Sequence, residues 1–83
     1  MIGITRQSLL DYMQSKLGLD PHGVDDDTPL FSSNLLDSFS MVNLIAFVES
    51  QGELRMDTWD VTLDNLDSIN RILKYANTKA AAT

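Results

Sequence analysis

The chain has no cysteine, so it can form no disulfide and offers no thiol nucleophile. Any thioester chemistry would need a sulfur from an attached group. Basic residues are scarce as well: six Lys and Arg stand against twelve Asp and Glu, for a formal charge of −6. The imbalance lies between Val24 and Ser68, where ten acids face Arg55 alone. Phosphate-rich partners are bound by clustered cations, so nucleic acid and anionic membranes are excluded. The acids suit a basic patch on a partner enzyme, and they also keep a small domain soluble. The only histidine, His22, sits between Pro21 and Gly23 with no Cys or second His to share a metal or a proton; it is expected to be exposed and idle. No apolar run is long enough to cross a membrane and no signal peptide opens the chain, which predicts a cytoplasmic protein without membrane insertion.

At 83 residues the chain is expected to be a single domain over 1–83, ordered over about 5–77 with a frayed end at 78–83. Proline and glycine are few, two and four, and they mark the breaks. Thr5 to Leu17 reads as a helix with Thr5 as N-cap, Gly18 as stop and a stripe of Leu9, Leu10, Met13 and Leu17. Residues 19–37 follow as a long connection holding Asp20-Pro21, Gly23, Asp25-Asp26-Asp27 and Thr28-Pro29. A link of that length needs anchors. Leu30-Phe31 and Leu35-Leu36 are expected to dip into the core while the Asp run stays wet. A calcium loop starting at Asp25 fails, since its sixth and twelfth places hold Leu30 and Leu36 instead of Gly and Glu.

Asp37 and Ser38 then open a second helix. Its core face is Met41, Leu44, Ile45 and Val48, and Gly52 is expected to supply the left-handed stop. Taken alone, Asp37-Ser38 is a helix cap. The first turn also gathers unpaired N–H groups and the positive end of the helix dipole, so a phosphate ester on Ser38 would be favoured by about 0.3–1 kcal/mol. Thr58-Trp59-Asp60-Val61 is expected to be a single helical turn, with Trp59 capping the core because aromatics bury large areas. Ser68 or Asp67 caps a last helix whose face is Ile69, Ile72, Leu73 and Ala76, ending near Asn77.

Leu35-Leu36-Asp37-Ser38-Phe39, followed by Val42 and Leu44-Ile45, resembles the modification site of the phosphopantetheine-dependent carrier proteins. That family comprises acyl carriers and aminoacyl or peptidyl carriers. The Leu-Leu-Asp-Ser-Phe form is most similar to stand-alone aminoacyl carriers such as D-alanyl carrier proteins. The order of elements agrees along the whole chain, including Leu30-Phe31 ahead of the motif and the short extended piece Leu54-Arg55-Met56.

The resemblance implies an all-α fold: a small four-helix bundle of three main helices and a short third one, with a long loop between helices 1 and 2. It implies 4'-phosphopantetheine, delivered from coenzyme A by a phosphopantetheinyl transferase, as a covalent cofactor on Ser38. Asp37 would cap the helix beside it and help position the transferase's metal ion. The carrier itself would not be an enzyme. As a monomer it would act in trans between an adenylating or acyl ligase and a downstream acyl- or aminoacyl-transferring enzyme, using tethering to raise effective concentration.

Fatty-acid carriers place acids two, five and eleven residues past the modified Ser. Here Ser40, Asn43 and Glu49 stand there, and Phe39 and Ala46 make the same face apolar. These five residues form the expected docking face, and they point to an aminoacyl or short acyl cargo. The alternatives are an acyl carrier for fatty acid or polyketide synthesis, or a small acidic helical adaptor with no prosthetic group.

Overall fold

The computed structural model describes residues 4–81, which measure 34 × 26 × 20 Å along the principal axes. Four α-helices appear among them and no strand: α1 (Arg6–Leu17), α2 (Ser38–Gly52), α3 (Leu63–Leu66) and α4 (Ile69–Ala81). The last helix packs against all three others and holds the bundle together.

α1 starts as its sequence predicts. Thr5 Oγ1 accepts from the Ser8 N–H at 3.0 Å, and Ser8 Oγ accepts from the Thr5 N–H at 3.0 Å, a reciprocal cap. Gly18 closes the helix in the left-handed conformation, φ 74°. Leu9, Leu10 and Met13 are buried, and Leu17 is half-buried. Tyr12 stacks on Phe47 of α2 with ring centroids 4.2 Å apart, and its hydroxyl donates to the Asn43 carbonyl at 3.0 Å. That pair fixes α1 against the middle of α2.

The long connection is anchored, though not by every expected residue. Leu30, Phe31 and Leu36 are buried, but Leu35 is 48% exposed. Asn34 takes a left-handed φ of 67°, and the Leu36 N–H bonds back to the Leu30 carbonyl at 2.9 Å. The turn so formed sends Leu36 inward and its neighbour outward. The Asp run is also more engaged than expected. Asp26 is half-buried and pairs with Arg6, while its carbonyl accepts from the Asn70 N–H at 2.9 Å. Asp27 accepts from the Asn70 side chain at 2.8 Å. His22 is exposed, with its ring 3.3 Å from Asp20.

Three helix boundaries depart from the sequence reading. At the end of α2 the left-handed residue is Glu53, φ 49°, and Gly52 is the last helical residue. A Cβ at Gly52 would lie 2.9 Å from Leu54 Cδ2, the movable tip of that side chain, so Gly52 is required neither by the turn nor by a rigid neighbour. Thr58–Asp60 is a 3-10 turn, and the short third helix is a separate element, Leu63–Leu66. α4 runs to Ala81, four residues beyond Asn77. Alanine and lysine favour helix there, and Lys79 is held by Asp57 at 3.7 Å and Asp60 at 3.4 Å. Residues 82 and 83 of the expected frayed end lie outside the described residues. Ser68 caps α4 as expected: it is buried, and its Oγ accepts from the Arg71 N–H at 3.1 Å.

The described core comprises Ile4, Leu9, Leu10 and Met13 from the first segment, and Leu19, Leu30, Phe31 and Leu36 from the connection. Leu44, Val48, Met56, Leu66, Ile69, Ile72 and Ala76 complete it. Met41 and Ile45, expected on the core face of α2, are half-buried at its margin.

Candidate functional site

Ser38 is the first residue of α2 and is exposed. Two neighbouring features place it there. Asp37 adopts an extended backbone and its Oδ1 accepts from the Ser40 N–H at 2.8 Å, which starts the helix. Behind it, the loop from Leu30 to Leu36 is pinned by Asp67, at the junction of α3 and α4. Asp67 Oδ1 accepts from the Phe31 and Ser32 N–H groups at 2.8 and 3.0 Å, and Oδ2 accepts from the Ser32 hydroxyl at 2.7 Å. The Leu30 N–H donates to the Asp67 carbonyl at 2.7 Å. A junction 36 residues downstream of Phe31 therefore fixes the approach to Ser38.

The electrostatics suit an attached phosphate ester. The first-turn amides of Ser38 and Phe39 have no intrahelical acceptor, and the dipole adds positive potential. Donation from the Ser40 N–H, and then from the Ser40 hydroxyl, holds Asp37 below the usual carboxylate range. Asp37 is thus ionised at neutral pH and already committed to the cap. Ser38 itself is exposed beside this cap, open to attachment of a phosphodiester-linked arm from the solvent side.

Around Ser38 the other expected residues are sorted unequally. Phe39 is 76% exposed and Ala46 is exposed, on the same side of α2. Ser40 is half-buried. Asn43 is half-buried against α1, with its carbonyl occupied by Tyr12. Glu49 is half-buried, and its carboxylate accepts from the Met56 N–H at 2.9 Å, which folds the chain after α2 back along the helix.

Two exposed apolar residues beside the site were not foreseen. Val42 is 66% exposed and Leu35 is 48% exposed. Phe39, Val42 and Ala46 sit at i, i+3 and i+7, a helical face that the sequence carries but that reads less clearly than the core stripe one step away. Trp59, expected to cap the core, is instead 89% exposed, while Leu63 is 47% exposed. The 3-10 turn projects the indole into solvent, and the adjacent Val61 packs against the core in its place.

Among the described residues no cluster of His, Cys, Asp or Glu is arranged to hold a metal ion, and no helix is long and apolar enough to cross a membrane. A family model described as a phosphopantetheine attachment site matches residues 7–76. No curated protein and no solved structure matches the chain.

Proposed function

The chain belongs to the phosphopantetheine attachment-site family, whose members carry covalently attached 4'-phosphopantetheine, and on that premise we propose that Ser38 bears the arm and that the cargo is an aminoacyl or short acyl group passed between partner enzymes in trans. The observation that carries the reading is the exposed hydroxyl on the first turn of α2, beside an ionised Asp37 cap. When attached, the arm supplies the thiol that the chain lacks, on which cargo is held as a thioester. Ser38 provides the ester oxygen, the amides of the first turn favour the phosphate, and Asp37 keeps that turn formed.

The surface next to Ser38 supports the choice of cargo. Phe39, Val42 and Ala46 offer an apolar docking face, with Ser40, Asn43 and Glu49 on the remaining turns. Glu49, the one acid kept from the fatty-acid pattern, is tied to the Met56 N–H. A cleft of about 510 Å³ opens between α3 and α4, but Asp64, Arg71, Lys74 and Thr78 on its walls make a poor lining for a long acyl chain. The partners of this reading are a phosphopantetheinyl transferase, an adenylating or acyl ligase and a transferring enzyme.

Intact mass spectrometry tests the assignment. With coenzyme A and a permissive transferase, the wild type should gain one phosphopantetheine, while Ser38→Ala keeps its helical circular dichroism and gains none. A normal gain in Ser38→Ala would move the site elsewhere. The pantetheinylated chain is then offered to a panel of adenylating enzymes and to a fatty acyl ligase. Faster loading by the fatty acyl ligase would overturn the cargo assignment.

A further inference from the structure

We propose that Trp59 is a second anchor for the enzyme that charges the arm, entering an apolar pocket of that enzyme rimmed by lysine or arginine. The inference rests on the carrier reading and extends it to an element remote from Ser38. Although the indole is 89% exposed, the turn that bears it is held firmly. Asp60 accepts from the Tyr75 hydroxyl at 2.8 Å and from Lys79 at 3.4 Å, and its carbonyl accepts from the Asn65 side chain at 2.9 Å. Asp57, on the other flank, pairs with the same Lys79 at 3.7 Å. Burial, and then the adjacent Asp60 carboxylate, push the Tyr75 hydroxyl well above its usual range, so it remains a donor. Both flanks of Thr58–Asp60 are thereby fastened to α4. An indole on a fixed support loses little freedom on docking, and buried tryptophans are frequent hot spots of interfaces.

The position suits an enzyme already engaged with Ser38. The Met56 N–H bond to Glu49 brings the chain entering the turn alongside the C-terminal half of α2. From Ser38 to Glu49 the rise along α2 is about 16 Å. An interface of standard size is about 30 Å across, so one enzyme can cover both ends.

The local charge selects the pocket's rim. Asp57 and Asp60 share one ammonium, and the exposed Glu53 and Arg55 on the same segment offset each other, which leaves one negative charge in excess beside the indole. A cationic rim complements that excess, whereas an acidic one is repelled.

The test uses the full chain and its variants Trp59→Ala and Trp59→Phe, each first pantetheinylated by a permissive transferase and checked by mass. Charging is then measured with the enzyme of the panel that loads the wild type fastest. Trp59→Ala should raise KM roughly tenfold or more with kcat and thermal midpoint unchanged, Trp59→Phe should recover most of the loss, and KM should rise with salt. Trp59 is the only tryptophan, so a 5-fluorotryptophan label gives one fluorine resonance, which should shift on adding the charging enzyme. Wild-type KM in Trp59→Ala, or an unmoved resonance, overturns the inference while leaving the carrier reading intact. Failure of the wild type to take the arm, or to be charged by any enzyme, overturns both.

Discussion

Phe39 follows the proposed attachment residue directly, and its ring is 76% exposed. Folding back over Leu35 and Leu36 would have buried it, so its part in stabilising the helix start is small. Any enzyme that reaches Ser38 along this face meets the ring, and truncating such a hot spot costs on the order of 2 kcal/mol. Phe39→Ala and Ala46→Glu should therefore leave the melting temperature nearly unchanged while slowing charging, mainly through KM. A core-sized loss of stability with normal charging of the folded fraction would make the ring structural. At this scale the sequence was only partly legible. Asp37 as cap and Ser38 on the first turn follow from residue type alone. Leu35 and Trp59 do not, because hydrophobicity says that a side chain prefers burial but not which of two adjacent residues a turn sends inward. Val42 was hidden for a related reason: an apolar residue next to the core stripe looks like its edge until the neighbouring helices are placed.

The helices were legible where a stripe and a cap coincide. α1 has both, and its limits agree with its reciprocal Thr5–Ser8 cap and left-handed Gly18. α2 shows where the rule failed. Gly52 has the residue type of a stop, yet it stays helical and the left-handed turn falls to Glu53. A residue with a Cβ in that conformation is strained by about 1–2 kcal/mol. Glu53→Gly should relieve part of it and, after the added freedom of the unfolded chain, raise stability by about 0.5–1 kcal/mol. A urea midpoint below that of the wild type would contradict this account. The end of α4 extends past the residue at which its apolar stripe stops, because Lys79 finds Asp57 and Asp60 only once residues 57–60 have returned to the last helix.

Taken whole, the molecule depends on carboxylates that act as acceptors. At Asp67 partial burial opposes ionisation, but donation from Ser32 and Phe31 outweighs it and keeps the acid below its usual range. Asp25, Asp37 and Asp60 are lowered in the same way by their donors. A carboxylate whose pKa is lower in the folded state releases its proton more readily there. The stability it gives is therefore complete above the unfolded value, about 4, and is lost as pH falls through the folded values. Urea unfolding should show a plateau near neutrality and a steep decline below about pH 4. Asp67→Asn should lower the plateau and flatten part of that decline, since a neutral amide cannot accept as Asp67 does at both oxygens. An unchanged pH profile in that variant would show that the loop before Ser38 does not depend on this acceptor. The Asp67 hold was not legible in the sequence, because Asp67 and Ser32 are partners only in three dimensions.

Because α4 is the element on which α1, α2 and α3 all pack, the order of synthesis has a cost. While the chain leaves the ribosome, its first three helices are exposed before their common support exists. Neither the Asp67 hold on the loop nor the Asn70 contacts with the Asp run can form until residues 67–81 have cleared the exit tunnel. The fold therefore closes only when its last helix is available. Nascent chains stalled before Ile69 emerges should remain open to protease, and protection should arrive in one step once the last helix is free.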